Sequence, residues 1–575
     1  MRFFLATALA VLPLVHAATP TKKKPAAAAS SSDVNAAQRL LKTLPLRDRI
    51  AQLVMVKFFG EPMHPRSKEF RDYLTEVRDL HVGGFIILNR VVNGTVRRAE
   101  PLTMAAFLNR MQKLSKVPLI VGADFERGAS MRMTGTAAFP HSMAFGAAGD
   151  PELTRALGRA TAREARAMGV HWVFAPDADV NNNPDNPIIN IRSYSQDPAV
   201  VAAHVQAYIE GAHSDPANRI MVCAKHFPGH GDTSTDTHIG LGVVTADRAR
   251  LDQIELVPFR AAIAAGVDSI MTAHLSVPAL EPETIPATVS KNILTDLLRK
   301  ELNFSGLITT DAMDMQGLTK MYPAGEAAVR ALEAGVDLLL IPANPKAAIE
   351  GVYQAVKSGR LSAKRIDESA VRILAAKVRL GLMKKRFVKL EDIEDALNTP
   401  EDEELALKVA GQALTLAKND SNLLPLAKTG KPCVYTLLPT RVSTAGREFQ
   451  DEIRSRAPGA RLATLEPQWS EAELERYLEP AANCDSMVVA SWVSATAYRG
   501  SVDLGGNYPA FMEQLLALKK PVVFISFGNP YLLRSLPDVT SYVAAFSTAT
   551  PSEVAAARAL FGEIPFSGKS PVTIR

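Results

Sequence analysis

Cysteine is nearly absent from this chain: Cys223, Cys433 and Cys484 are the only three in 575 residues, far apart and in or beside apolar runs. Such a distribution does not suggest a disulfide framework, and the thiols read as small buried hydrophobes. Charge of one sign is missing as well. Lys and Arg number 65 against 60 Asp and Glu, a net +5, and no basic stripe interleaved with aromatics occurs. Nucleic acid is therefore not an expected partner. Beyond the N-terminus no stretch approaches the roughly 20 apolar residues that a membrane-crossing helix needs, so stable membrane insertion is not expected. What remains is ordinary globular composition, 47% apolar and 22% charged, in a chain too long for one core.

The N-terminus carries an address. Arg2 precedes an apolar stretch, Phe3 to Ala18, which is interrupted by Pro13 and ends in Val15-His16-Ala17, a small-residue cleavage pattern. Residues 1–18 read as a secretory signal peptide, and residues 19–33 as a low-complexity tether rich in Lys, Ala and Ser. Export with so few cysteines suits a periplasmic or extracellular location.

From Asp33 onward, short apolar runs alternate with helical patterns. The runs are Ala51–Phe58, Val82–Leu88, Val117–Ala123, Trp172–Pro176, Ile220–Ala224, Ser269–Ala273, Gly306–Thr310 and Val336–Ile341. Between them lie helix candidates such as Ser67–Leu80, Pro151–Met168, Pro198–His213 and Ala246–Ala265. Eight strand–helix units predict a closed (β/α)8 barrel over residues 34–386, with an open doubly wound sheet as the competing arrangement. A helical region, Lys346 to Met383, ends this unit, and residues 387–400 form a linker. A smaller α/β sandwich domain over 401–575 is expected to begin with a helix at Glu401–Ala417 and to hold strands at Cys433–Leu438, Met487–Trp492, Val522–Phe527 and Tyr542–Phe546.

Polar residues gather where the barrel runs end. Asp124 and Glu126 follow the third, Asp177 and Asp179 the fourth, Lys225 and His226 the fifth, His274 the sixth and Asp311 the seventh. In a barrel all these ends converge on one face, and that face holds the chemistry. The densest stretch is K-H-F-P-G-H-G-D-T-S-T-D-T-H, Lys225 to His238. Its histidines invite a zinc reading, but Pro228 and Gly229 remove the helix that would align His226 with His230. A Schiff-base role for Lys225 needs a desolvated amine, and a purely structural hydrogen-bonding loop is a third possibility. The fourth is acid–base and nucleophilic chemistry. Asp236 stands two residues before His238 and can orient its imidazole as a proton donor, while Asp311 ends a buried strand and points at the barrel mouth.

At these residues the chain resembles the β-N-acetylglucosaminidases of glycoside hydrolase family 3. The motif at Lys225–His238 is similar to the family's signature loop, with the Asp-x-His pair of its N-acetylglucosaminidase branch. T-D-A-M at Thr310–Met313 resembles the segment holding the family's nucleophile; N-N-N-P-D-N-P-I-I-N-I-R-S-Y at Asn181–Tyr194, V-G-G-F-I-I-L at Val82–Leu88 and L-T-L-A-K-N-D-S-N-L-L-P-L at Leu414–Leu426 also match. The resemblance implies Asp311 as nucleophile, His238 as general acid/base and Asp236 as its partner. It implies that Lys225, His226 and Arg192 bind sugar hydroxyls, and that Asp124 and Arg132 grip the non-reducing end. That last segment departs from the family pattern, with Arg127 at a glycine position and Ser130 at a valine.

The activity so implied is that of a retaining exo-β-N-acetylglucosaminidase acting on β-GlcNAc-terminated glycans such as peptidoglycan fragments, with no metal and no cofactor. A β-glucosidase of the same family, a GlcNAc phosphorylase and an inactive wall-binding relative are the alternatives. On the acid–base reading EDTA leaves turnover unchanged, whereas inactivation by chelation returns the histidines to a metal.

Overall fold

The computed structural model describes residues 30–92, 95–420 and 422–574. The expected signal peptide and most of the tether lie outside the described residues; Ser31–Asp33 form the first turn of the helix Ser31–Lys42. All eight expected barrel strands are present: β1 (Val54–Phe58), β2 (Gly84–Ile87), β3 (Ile120–Ala123), β4 (Trp172–Val173), β5 (Met221–Phe227), β6 (Ser269–Thr272), β7 (Leu307–Thr309) and β8 (Leu339–Leu340). They pair in parallel in the order β7-β6-β5-β4-β3-β2-β1-β8. A further parallel bridge between Thr309 and Leu338 joins the two remaining edges, so the sheet closes as a barrel and the open arrangement is excluded. Buried apolar residues on nearly every strand fill the sheet on both sides, as a parallel sheet covered by helices requires.

Three expectations for the barrel need correction. The fifth strand does not stop at Ala224 but runs through Lys225 and His226 to Phe227, and all seven of its residues are buried. Charged residues can extend a buried strand here because neighbouring strand ends supply their counter-charges. The helix expected at Ala246–Ala265 is two helices, Arg248–Gln253 and Val257–Ala264, because Pro258 cannot lie inside one and opens the second. The region Lys346–Met383 likewise divides, into Pro345–Lys357 and Ala363–Arg379, at Gly359 with φ +80°.

The second domain is a six-stranded sheet of β9 (Thr415–Asn419), β10 (Cys433–Leu437), β11 (Arg461–Leu465), β12 (Met487–Ser491), β13 (Val522–Ser526) and β14 (Ser541–Ala544), in the order β9-β14-β13-β12-β10-β11. Only β9 runs antiparallel. The helix expected at Glu401–Ala417 spans Pro400–Ala413, since Thr415 and Leu416 are drawn into pairing with Ala544 and Val543 at the sheet edge. The sheet is covered on both faces. Along β12, Val488 and Ala490 enter one apolar cluster, while Met487 and Val489 join the cluster continuous with the barrel.

The cysteines also need correction. Cys433 and Cys484 form a disulfide, with Cα atoms 5.7 Å apart. The parallel strands β10 and β12 start side by side, with Cys433 opposite Met487, and this brings together residues 51 apart in sequence. Cys223 is free and buried. The second domain sits over the strand-end face of the barrel, through Asn181 to the Tyr531 hydroxyl at 2.8 Å, Asn190 to Asn529 at 3.2 Å and His141 to Ser547 at 3.1 Å.

Removing the disulfide by reduction, or by Cys433→Ser with Cys484→Ser, is expected to destabilise the second domain by about 2–4 kcal/mol. Denaturant melts with and without reductant measure this; coincident curves would mean that the bond does not form in the protein.

Candidate active site

The floor of the site is a buried ionic cluster built from the ends of β3, β4 and β5. A bridge between Asp177 and Lys225 extends the β4–β5 pairing past its last regular residue and places the two side chains on neighbouring strands. The Lys225 ammonium donates to Asp124 at 3.0 Å and Glu126 at 2.7 Å and lies 3.8 Å from Asp177. Arg192 makes a two-pronged bond to Glu126 at 2.9 and 3.0 Å, donates to the Ile188 carbonyl, and reaches Asp177 at 3.2 Å. Arg132 donates to the second Asp124 oxygen at 3.0 Å.

Three carboxylates thus face three cations. Burial opposes the charge on Asp124 and Glu126, but Lys225 with Arg132, and Arg192 with Lys225, outweigh it and hold both carboxyls below the ordinary range. Burial would likewise discharge Lys225; Asp124 first, then Glu126 and Asp177, keep it charged and raise it. Asp177 is the carboxyl left over. Burial pushes it up to about 7, against the pull of Arg192 and with the help of Glu126.

A second anchor is Asp179. Its carboxylate accepts the backbone N–H and the Nδ1–H of His226, the latter at 2.7 Å, and the backbone N–H of His230 at 2.7 Å. Burial would lower His226, but Asp179 prevails and raises it above the ordinary histidine range. Burial, reinforced by His226, takes His230 down to about 4, and its Nε2 pairs with the Thr237 hydroxyl at 3.0 Å. The two rings therefore point to different partners. Asn186, from the polar segment after β4, closes the turn by donating to the carbonyls of His230 and Gly231. Gly231 is required there, because a Cβ would lie 1.7 Å from the Val180 carbonyl oxygen.

Asp311 follows β7, with its N–H donated to Thr272 O at 3.2 Å. Its Oδ1 accepts the Ala312 N–H at 2.7 Å, which leaves Oδ2 without a protein partner among the described residues. Burial opposes its ionisation, but His226, His274 and His238 together hold the carboxyl below the ordinary value, ionised at neutral pH. His274 pairs with Thr288 at 2.8 Å and, through Nε2, with the Ala312 carbonyl at 3.0 Å, steadying the residue after Asp311.

Beyond Gly231 the chain crosses the barrel mouth. A carboxylate can only accept, so His238 Nδ1 carries the proton it donates to Asp236 Oδ1 at 2.8 Å; the His238 backbone N–H adds a second bond at 2.9 Å. Nε2 is left free among the described residues, on a side chain one quarter exposed. The loop is fastened down. Gly317 N–H donates to the Thr237 carbonyl, Lys320 to the Ile239 carbonyl, and the Tyr498 N–H of the second domain to Asp236 Oδ2 at 2.8 Å.

The structure gathers all eight singled-out residues on one face. Asp124, Arg132, Arg192 and Lys225 form one cluster despite Arg127 and Ser130, because Gly128, with φ +80°, still makes the turn. Lys225, His226 and Arg192 differ from expectation in being engaged with carboxylates of the protein. Glu126, Asp177, Asp179 and His274, which the sequence marks only as polar strand ends, prove to be the partners that hold the others. Tyr498 comes from a domain where no titratable cluster is visible in the sequence.

Both domains match those of known proteins. The Glycosyl hydrolase family 3 N terminal domain matches residues 45–376 and the Glycosyl hydrolase family 3 C-terminal domain residues 414–575. A β-N-acetylglucosaminidase/β-glucosidase of Cellulomonas fimi is 30% identical over 538 residues, 88% of this chain and 90% of its own. β-Hexosaminidase A of Pseudoalteromonas piscicida is 29% identical over 95% of this chain and 99% of its own. Among solved structures, a family 3 β-N-acetylglucosaminidase from Paenibacillus sp. str. FPU-7 superposes with a TM-score of 0.82 at 34% identity, covering 92% of this chain and 99% of that one. The β-glucoside phosphorylase BglX bound to 2FGlc gives 0.84 at 25% identity, covering 95% and 97%.

Lys225→Met leaves buried carboxylates without their cation and is expected to cost about 3–5 kcal/mol at neutral pH. Asp124 and Glu126 have depressed folded-state values, so their contribution is present above the unfolded carboxylate range of about 4 and is lost as pH falls through the folded values. The gap between wild type and variant, read from denaturant melts, should therefore narrow in acid; a gap independent of pH would remove Lys225 as the counter-charge.

Proposed function

The chain belongs to glycoside hydrolase family 3, and on that premise we propose that it is a retaining exo-β-N-acetylglucosaminidase releasing terminal GlcNAc from β-linked glycans such as peptidoglycan fragments. The observation that carries this reading is the Asp236–His238 pair at the barrel mouth, with Nε2 unpaired among the described residues, together with an ionised Asp311 whose Oδ2 is likewise unpaired among them. The names of the Cellulomonas, Pseudoalteromonas and Paenibacillus relatives support the sugar specificity.

The two groups divide the reaction. Asp311 attacks the anomeric carbon as His238 Nε2–H protonates the departing oxygen, so the glycosidic bond breaks and a glycosyl-aspartate ester forms. Asp236 stabilises the imidazolium before it gives up its proton. Neutral His238 then takes a proton from water, the water oxygen attacks the same carbon, and sugar and Asp311 carboxylate separate. Asp124, Arg132, Lys225, His226 and Arg192 hold the terminal sugar. Ion pairs within the protein set each of them in place before it arrives, so little ordering remains to be done on binding. We read the enzyme as exported to the periplasm or beyond. The sequence of residues 1–18 supports this, as does the Cys433–Cys484 disulfide, a bond at home in an oxidising compartment.

Phosphorolysis is favoured by one observation. The reacting base is a neutral imidazole nitrogen, with the Asp236 charge turned away toward Nδ1 and Tyr498, and so repels an incoming phosphate less than a carboxylate base does. Sugar 1-phosphate released in phosphate buffer identifies this course; free GlcNAc alone identifies hydrolysis.

Mass spectrometry after trapping with a slow fluorinated amino-sugar substrate is expected to place the label on Asp311, and a label elsewhere would overturn the assignment. His238→Ala should lower kcat/KM about 100- to 10,000-fold on chitobiose and far less on an activated aryl glycoside, which needs no protonation. Equal losses would remove His238 as the acid.

A further inference from the structure

The second domain takes a direct part in setting the acid/base pair. Between β12 and the helix Tyr508–Ala517, an irregular segment reaches down to the barrel mouth. Its fixed points lie in its own domain: Asn529 donates to the Val502 carbonyl at 2.8 Å, Asn507 to the Trp469 carbonyl at 2.9 Å, and Arg499 to the Asp503 carbonyl at 3.0 Å. At its tip Tyr498 adopts φ +67°, a conformation an L side chain seldom takes. This turns its N–H toward Asp236 Oδ2 at 2.8 Å.

The two oxygens of Asp236 are thus divided. Oδ1 serves His238 and Oδ2 is held by the other domain. The Tyr498 ring meets the imidazole edge to face, with centroids 5.1 Å apart. Tyr498 is 62% exposed, so burial of its ring does not account for its place. A non-glycine backbone in the left-handed region is strained and persists where surrounding contacts hold it.

We propose that the segment Ser494–Gly506 is a positioning element for the acid/base pair, with the Tyr498 N–H fixing the Asp236 carboxylate and its ring fixing the His238 imidazole. Proton delivery at the barrel mouth then depends on the second domain, although neither proton-carrying group belongs to it. Tyr498 is a positioning residue, and its effect is confined to the step that needs a well-aimed proton.

The inference rests on the reading of His238 as general acid, and leaving-group dependence separates the two. Tyr498→Gly keeps the N–H, suits the positive φ and removes the ring. Replacing 496–500 by two glycines removes both contacts. For Tyr498→Gly a loss of about threefold or more in kcat/KM is expected on chitobiose, against less than about twofold on an activated aryl GlcNAc, with a wider split in the shortened segment. Tyr498→Phe, which keeps both the ring and the N–H, should retain activity on chitobiose and show no such split. Equal losses on both substrates in Tyr498→Gly, or loss on neither, would overturn the proposal even if the shortened chain fails to fold. If His238→Ala itself shows no leaving-group dependence, the underlying reading falls instead.

Discussion

A lysine ammonium buried against carboxylates is the constraint from which the rest of the site follows. Lys225 stays charged in the barrel interior only because Asp124, Glu126 and Asp177 arrive from two neighbouring strands, and Asp124 and Glu126 stay charged only because Lys225, Arg132 and Arg192 arrive to meet them. Remove any one and an uncompensated charge is left in a medium that solvates it poorly. The arrangement therefore over-determines its own geometry. It also explains why β5 can carry two titratable residues into a fully buried stretch, and why the polar ends of three strands coincide in space.

The barrel was legible because parallel strands covered on both sides leave plain apolar runs, and eight of them alternate with helical patterns. Less visible was whatever depends on contact between distant segments. β9 is a polar edge strand and reads as a helix tail until Ser541–Ala544 pairs with it. β11 has no apolar face to announce it, since most of its length is partly exposed. The pairing of Cys433 with Cys484 follows from the register of β10 against β12, which no local pattern encodes. At the site, motif spacing exposed the residues that carry charge or titrate. It did not expose their partners, because Glu126, Asp177 and Asp179 act through strand adjacency. The backbone N–H of Tyr498 has no signature in side-chain chemistry at all.

The two halves of the Lys225–His238 stretch answer to different supports. Lys225 and His226 belong to the barrel, fixed by Asp124, Glu126 and Asp179. Asp236 and His238 lie in a loop tied to the residues following Asp311 through Gly317 and Lys320, and to the second domain through Tyr498. The histidines that suggested a metal site by their spacing are each turned to a separate hydrogen-bond partner. Between them Gly229, with φ +135°, turns the chain so that it can serve both supports.

Gly231 has a consequence for how this region can vary. Its Cα lies so close to the Val180 carbonyl that even a methyl group has no room, and Asn186 ties the same turn from the other side. The segment after β4 and the turn after β5 can then shift only as one body. Substitutions in the two are coupled rather than independent, and their effects on the enzyme will not add. A change tolerated in one of them becomes a change permitted only in company with the other.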